Sequence, residues 1–389
     1  MIQRMIEQER EQQAQARQQE KKRLQEVLKS WLNLDWGEED QERLAGGYSG
    51  ATVLRIRPKL RIPADNGGGY QEASIPHLET VIIKYGKKAN FDAERQNYAS
   101  IPTEYRHHFA AIPQKAHNDV WEGEVYEYLV IEDLIGYRTL QEVLFPTSHA
   151  GFRKYVAQRL GEFLSVLYSM PPTTRKTAGM LRSLYITPMF HSLDAILEFA
   201  HRTDTLDEEE LRLIHELDRY LDRLVAKSAH LERFPLCVMH GDLNIRNILF
   251  NGRQVEGADV RFRLIDLDKF TRAGDVACDI GEFIIDMQVV AKTQDYSINI
   301  LDMCDMLEQA FCLRAQERND PLFGLRLDIS KARSLLKFVE IQAKRGLVDT
   351  GASSLARNLA MRRFSDAKPF LLEAHRLVAN VAEQIASMT

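Results

Sequence analysis

The sequence predicts an α+β fold in two lobes, a small mixed β-sheet lobe and then a mainly helical one, with a helical extension in front. Three observations carry the prediction. Short β-prone runs separated by Gly and Pro turns fill the stretch from Ala51 to Glu132. Beyond Gly136 apolar residues recur at helical spacing. The opening residues are rich in Gln and charge and carry few apolar positions. The expected boundaries are 1–38 for the extension, 39–133 for the first lobe and 134–389 for the second.

Residues 2–26 have the composition of a helix that is solvated all round or packed only in an assembly. Leu24, Val27, Leu28, Trp31 and Leu32 then fall at three- and four-residue spacing, so the end of this helix is expected to dock on the body of the protein. A coiled-coil or protein-partner helix is the alternative, and the lack of a sustained heptad before Leu24 favours a solvated leader. Strands are expected at Ala51–Arg57 and Glu79–Tyr85, across a connection holding Pro58, Pro63 and the turn formers Asp65 to Gly69. Asn90 can cap a helix from Phe91 to Ser100. Further strands are expected at Ala111–Pro113 and at Tyr126–Glu132, where Tyr128, Val130 and Glu132 alternate with Leu129 and Ile131. In the second lobe the clearest helices are Phe152–Leu167, Ser192–His201 and Leu206–Leu224. The last is opened by a Thr205–Glu208 capping box and striped by Leu211, Ile214, Leu217, Leu221 and Leu224. Strand-like runs at Cys237–Met239, Ile248–Phe250 and Arg261–Leu267 interrupt the helices, which resume from Ile280.

At 389 residues, 44% hydrophobic and 28% charged, the chain can bury two sizeable cores, and disorder or a fibrous architecture is excluded. A formal net charge of -5 gives no global attraction to nucleic acid or an anionic membrane, so any phosphate chemistry must come from a local site. The four cysteines, Cys237, Cys278, Cys304 and Cys312, are too sparse for a disulfide framework and read as reduced thiols. With no apolar leader or membrane-length run, a cytoplasmic protein is expected.

The chemistry concentrates in Val238-Met-His-Gly-Asp-Leu-Asn-Ile-Arg-Asn-Ile-Leu-Phe250, followed by Phe262-Arg-Leu-Ile-Asp-Leu-Asp-Lys269. Asp242 and Asn247 lie five positions apart in a loop between apolar runs, and Asp266 ends another such run. Two carboxylates and an amide oxygen converging from short loops suit a hard cation such as magnesium, with one oxygen left for general-base work. Turn formation and capping are the plain use of the same residue types.

This pattern resembles the aminoglycoside phosphotransferase and choline kinase group of the protein-kinase-like superfamily. His240-Gly241-Asp242, four residues, then Asn247 is similar to that group's catalytic loop, and Asp266-Leu267-Asp268 to its next motif. The resemblance implies a bilobal kinase-like fold and transfer of the terminal phosphoryl group of ATP, with Mg2+, to a hydroxyl. The acceptor would be a small molecule or a protein. It makes Asp242 the group that orients and deprotonates the acceptor and Asn247 and Asp266 the metal ligands, with Asp268 assisting through a water. Gly274-Asp275-Val-Ala-Cys-Asp279 is similar to a segment in which the second acid braces the catalytic loop, so Asp279 is read as structural and Asp275 as a turn residue.

The first lobe can be set against the same family. Leu44 to Val53 is a glycine-rich turn entering a strand, whose Gly47, Ser49 and Gly50 let backbone amides approach phosphate oxygens. Lys84 ends an apolar run and Glu94 lies in the next helix, the lysine–carboxylate order with which the superfamily positions nucleotide phosphates. Tyr128 to Leu140 resembles the hinge, and backbone groups near Glu132 and Leu134 would meet the adenine edge. The resemblance covers roughly Leu44 to Ile285. A nucleotide-binding regulatory or scaffold domain, a pseudokinase of a bacterial signalling system, is a second class supported by the Gln-rich leader. The set Lys84, Glu94, Asp242, Asn247 and Asp266 opposes it. Transfer of a nucleotidyl group is a third.

Overall fold

Contacts divide the chain into two units, Met1–Ile135 and Gly136–Thr389. The structure, a computed structural model, describes residues 15, 18–31, 41–44, 51–57, 60–63, 70–73, 80–87, 91–113, 116–145, 150–173, 178–203, 206–232, 234–254, 257, 259–293, 299–349 and 354–387.

In the first unit a helix over residues 18–31 (α1) precedes strands β1 (Gln41–Leu44), β2 (Thr52–Ile56), β3 (Leu60–Pro63), β4 (Tyr70–Ala73) and β5 (Val81–Lys87). Helix α2 (Phe91–Ser100), a 3-10 turn (Thr103–His108), β6 (His117–Trp121) and β7 (Glu124–Glu132) follow. The main sheet has the order β1-β2-β5-β7-β6, and β3 and β4 form a separate hairpin. The sheet is antiparallel throughout rather than mixed. The period of two along each strand sorts its residues onto two faces. Leu54, Ile56, Val81, Ile83, Tyr85, Tyr126, Tyr128 and Val130 make one apolar face, and Leu24, Val27 and Leu28 of α1 pack on it. Arg23 pairs with Asp119 of β6, the Tyr85 hydroxyl donates to Glu20 at 3.2 Å, and Trp31 stacks on His117 at 5.1 Å. The stripe that the sequence assigned to docking is thus used by the chain's own sheet, and nothing supports a protein partner at this helix.

The second unit opens with β8 (Arg138–Thr139), α3 (Leu140–Leu144) and α4 (Ala150–Tyr168), then a π-helical turn (Arg182–Ile186), α5 (Thr187–Thr203) and α6 (Glu208–Leu231). Strands β9 (Cys237–Met239), β10 (Ile248–Gly252), β11 (Val260–Leu264) and β12 (Thr271–Gly274) lead to α7 (Val276–Thr293), α8 (Asn299–Glu317), α9 (Phe323–Asp349) and α10 (Ser354–Ser387). The core joins the predicted stripe Ile214, Leu217, Leu221 and Leu224 to Ile329, Leu336 and Val339 of α9 and Phe370, Val378 and Val381 of α10. Two local expectations are corrected. Asp207, not Thr205, caps α6, with Glu210 closing the box. Ala111–Pro113 is no strand, although Ala111 bonds Glu132 through both its carbonyl and its N–H. The strand beside β7 starts at His117. Among the described residues no helix is long and apolar enough to cross a membrane.

Candidate functional site

In the first unit, Lys84 sits on β5 with its side chain turned away from the face that α1 covers. It is 6% exposed and its ammonium lies 2.9 Å from the carboxylate of Glu94, itself 1% exposed on α2. The ammonium also lies 5.4 Å from the centre of the Phe91 ring. An ion pair this dry is costly to assemble and keeps the lysine's charge in one position, which suits a point-charge ligand for phosphate better than it suits stability. Glu132 ends β7, its N–H donating to the Ala111 carbonyl at 2.8 Å, and Leu134 is buried just beyond. Gly47, Ser49, Gly50 and Asn90 lie outside the described residues.

In the second unit, the loop from His240 to Asn247 hangs from one face of α7. Asp279, Glu282 and Asp286 fall at i, i+3 and i+7, which puts three carboxylates on one side of a mostly apolar helix. Asp279 accepts the backbone N–H groups of His240 and Gly241 at 2.6 and 2.9 Å, and Asp286 accepts that of Ile245 at 3.0 Å. Gly241 has φ 82°, and a Cβ there would lie 2.5 Å from the Lys269 carbonyl, so only glycine fits. The His240 Nε2 faces the Ile265 carbonyl at 2.9 Å and must carry the proton, because a carbonyl only accepts. Asn244 closes the loop from inside, its Oδ1 accepting from the N–H groups of Arg246 and Asn247, and Arg246 reaches Gln141 at 2.9 Å.

Asp242 lies at the centre of this frame. Its Oδ1 is met by two ammonium groups, Lys269 at 3.2 Å and Lys337 at 3.3 Å, while the Asn247 Nδ2 lies 3.4 Å from Oδ2 and 2.9 Å from the Asp242 carbonyl. Burial pushes this carboxyl up, but the charges of Lys337 and Lys269, with His240, outweigh it and hold it below the usual carboxylate value. Asp242 is therefore a carboxylate at neutral pH, able to accept a proton.

Asn247 and Asp266 come together through the β10–β11 ladder, in which Ile248 is paired with Leu264, and the Ile265 N–H donates to the Asn247 carbonyl at 3.1 Å. Asp266 has φ 67°, uncommon for a residue with a side chain and a feature often kept where function requires it. With the Asn247 Nδ2 turned to Asp242, the amide oxygen is the atom Asn247 can offer a cation. Asp268 is exposed one residue before Lys269. Among the described residues no three His, Cys, Asp or Glu side chains gather as a preformed metal centre. An amide oxygen with carboxylates fits a magnesium ion that draws its remaining ligands from water and phosphate. Asp275 is more than a turn residue: it is buried, accepts from the Tyr185 hydroxyl at 2.7 Å and pairs with Arg326 at 2.6 Å, which also binds Asp320. Sequence reasoning missed Lys269, Lys337, Glu282 and Asp286. The two acids had a signal in the spacing from Asp279, whereas Lys337 lies 95 positions from Asp242 and had none.

Residues 106–295, which contain this loop and α7, match the model of a family described as "Phosphotransferase enzyme family". The fold is α+β, an antiparallel sheet unit followed by a mainly helical one. Among solved structures, the chain is similar to ethanolamine kinase of Plasmodium vivax, with 13% identity, a TM-score of 0.46, and coverage of 85% of this chain and 82% of that one. It is also similar to ADP-bound aminoglycoside phosphotransferase APH(2'')-Ib, with 12% identity, a TM-score of 0.47, and coverage of 89% and 96%. A third is macrolide 2'-phosphotransferase MphH from Brachybacterium faecium, at 12% identity, a TM-score of 0.43, and coverage of 88% and 97%. No curated protein matches.

Proposed function

We propose that the chain is a magnesium- and ATP-dependent phosphotransferase that moves the terminal phosphoryl group to the hydroxyl of a small molecule. The observation that carries this reading is Asp242. It is an ionised carboxylate on a loop pinned by α7, with one oxygen engaged by lysines and Asn247 beside the other. In this reading the other oxygen of Asp242 orients the acceptor hydroxyl and takes its proton as the oxygen–phosphorus bond forms. The bond from phosphorus to the bridging oxygen breaks, leaving ADP and a phosphate monoester. Lys84, held by Glu94, neutralises charge on the nucleotide phosphates. Asn247 and Asp266 would hold magnesium and Asp268 would assist, the ion when bound supplying further charge neutralisation. Backbone groups at Glu132 and Leu134 would meet the adenine, with the Glu132 N–H already engaged by Ala111. The glycine-rich turn with Gly47, Ser49 and Gly50 would cover the phosphates. The named neighbours suggest acceptors of the amino-alcohol or aminoglycoside kind, and a metabolite panel is the way to find this chain's own.

Comparison of Asp242→Asn with Asp266→Asn tests the reading. Asp242→Asn is expected to keep calorimetric affinity for magnesium ATP and lose roughly two or more orders of magnitude in turnover. Asp266→Asn is expected to weaken nucleotide binding in magnesium and leave binding in chelator unchanged. Nucleotide binding with no transfer to any hydroxyl, and no effect of Asp242→Asn, would leave a nucleotide-binding regulatory domain instead.

A further inference from the structure

We propose that Lys337 is the positioning residue for Asp242: through the chain Arg333–Glu282–Lys337 it fixes which way the carboxylate points. The inference rests on the phosphotransferase reading for its consequence in turnover, but not for its geometry.

Asp242 has two lysine partners, and they are not equivalent. Lys269 is 51% exposed against 38% for Lys337, and it pairs with Asp242. A contact of that kind exchanges with water and fixes little. Lys337 lies 3.3 Å from the same oxygen, and its ammonium is also 2.6 Å from Glu282, whose side chain is 8% exposed. Glu282 is in turn held by Arg333 at 2.9 Å, and Arg333 is anchored by the Leu184 carbonyl at 2.8 Å. The ammonium is therefore clamped from behind before it meets Asp242.

The clamp follows from helix periodicity. Ser330, Arg333 and Lys337 fall at i, i+3 and i+7 on α9, facing Cys278 and Glu282 at i and i+4 on α7. Ser330 donates to the Cys278 carbonyl at 2.8 Å, and Arg333 and Lys337 close on Glu282. The helix that pins the loop backbone through Asp279 and Asp286 thus pins the Asp242 side chain as well, with Lys337 as intermediary. With Oδ1 held on one side, Oδ2 is the oxygen presented for other work. A misplacement of about 1 Å at such a group can cost on the order of a hundredfold in rate.

Crystal structures of the full chain as wild type, Lys337→Met, Lys337→Arg and Lys269→Met read the carboxylate directly. Turnover with magnesium ATP across a hydroxyl panel reads the consequence. In Lys337→Met the Asp242 carboxylate is expected to leave its wild-type orientation, while Lys269→Met and Lys337→Arg keep it. Turnover is expected to fall by roughly a hundredfold in Lys337→Met with the KM for ATP unchanged, and to recover in part in Lys337→Arg. An unmoved carboxylate in Lys337→Met overturns the proposal whatever the turnover does. If Lys337→Met releases the carboxylate but the wild type transfers phosphate to nothing, the positioning role stands and the phosphotransferase reading falls.

Discussion

Asp279 carries a carboxyl where burial opposes a charge. It is fully buried, and desolvation pushes it up to about 6 against the pull of His240 and of the backbone N–H groups of His240 and Gly241. An unfolded aspartate titrates near 3.9, so between these values the native state holds the proton more tightly. The ionised form costs stability above about pH 6, and that cost is removed as pH falls toward the unfolded value. Asp279→Asn does not titrate, and its NH2 would face a backbone donor, leaving one N–H unsatisfied at about 1–3 kcal/mol. Denaturant unfolding at several pH values should show the variant less stable at acid pH, the gap to wild type widening by roughly 2–3 kcal/mol as pH falls from 7.5 to 4. A gap that narrows instead would mean the loop's hydrogen bonds, not burial, dominate at Asp279. At this scale the sequence was legible where chemistry is local. His240, Gly241, Asp242 and Asn247 lie within one loop, and Asp279 was read as its brace. Lys337 was not legible, because its pairing with Asp242 is made by helix packing across 95 positions, and Lys269, 27 positions away, stands on a turn whose approach to the loop no sequence pattern signals.

Elements come close only where side chains permit it, and α7 meets α9 across Gly281. A Cβ there would lie 2.4 Å from Ser330 Oγ and 2.5 Å from Ser330 Cβ. Gly161 in α4 differs, since its added Cβ would meet Leu307 at 3.7 Å, an ordinary contact. Helix propensity favours alanine at both sites by about 0.8–1 kcal/mol, while overpacking costs about 1–3 kcal/mol. Gly161→Ala is therefore expected to raise the melting temperature and Gly281→Ala to lower it. Because Ser330 shares a face with Arg333 and Lys337, Gly281→Ala should also lower turnover by more than its loss of stability explains. A melt of Gly281→Ala at or above wild type would show that the helices part at no cost. Helix existence was legible from periodicity, but the start of α6 was not. Its opening offers Thr205, Asp207, Glu208, Glu209 and Glu210 as cap or box residues, and the two registers differ only in how the chain enters the helix. The short run Ala111–Pro113 has one β-prone residue, Ile112, and too little length, and its bonds to Glu132 end at Ala111.

Among the described residues two apolar cores each lie within one unit. One is made of Leu24, Val27, Leu28 and the sheet face from Leu54 to Val130, and the other of residues between Leu181 and Ile385. That division was legible as a change from strand to helix composition, whereas the placement of α1 on the sheet needed its partner face to be known. Two substitutions can address the cores separately. Leu28 is fully buried between α1 and the sheet, so Leu28→Ala removes its packing at about 2–5 kcal/mol. Arg326 is fully buried between Asp275 and Asp320, so Arg326→Met strands two buried carboxylates at about 3–5 kcal/mol. Hydrogen exchange read by mass spectrometry should then show Leu28→Ala losing protection in peptides from residues 18–135 and Arg326→Met in peptides from 136–389, since cooperative opening follows shared core contacts. The loop from His240 to Asn247 gives the sharper outcome. Asp275 begins the turn into α7, with its Oδ1 accepting the Ala277 N–H at 3.0 Å, and α7 carries Asp279, which holds His240 and Gly241. Arg326→Met should therefore expose the amides of His240 and Gly241, and Leu28→Ala should leave them protected. Equal loss at those amides in both variants would mean that the two cores open as one cooperative unit.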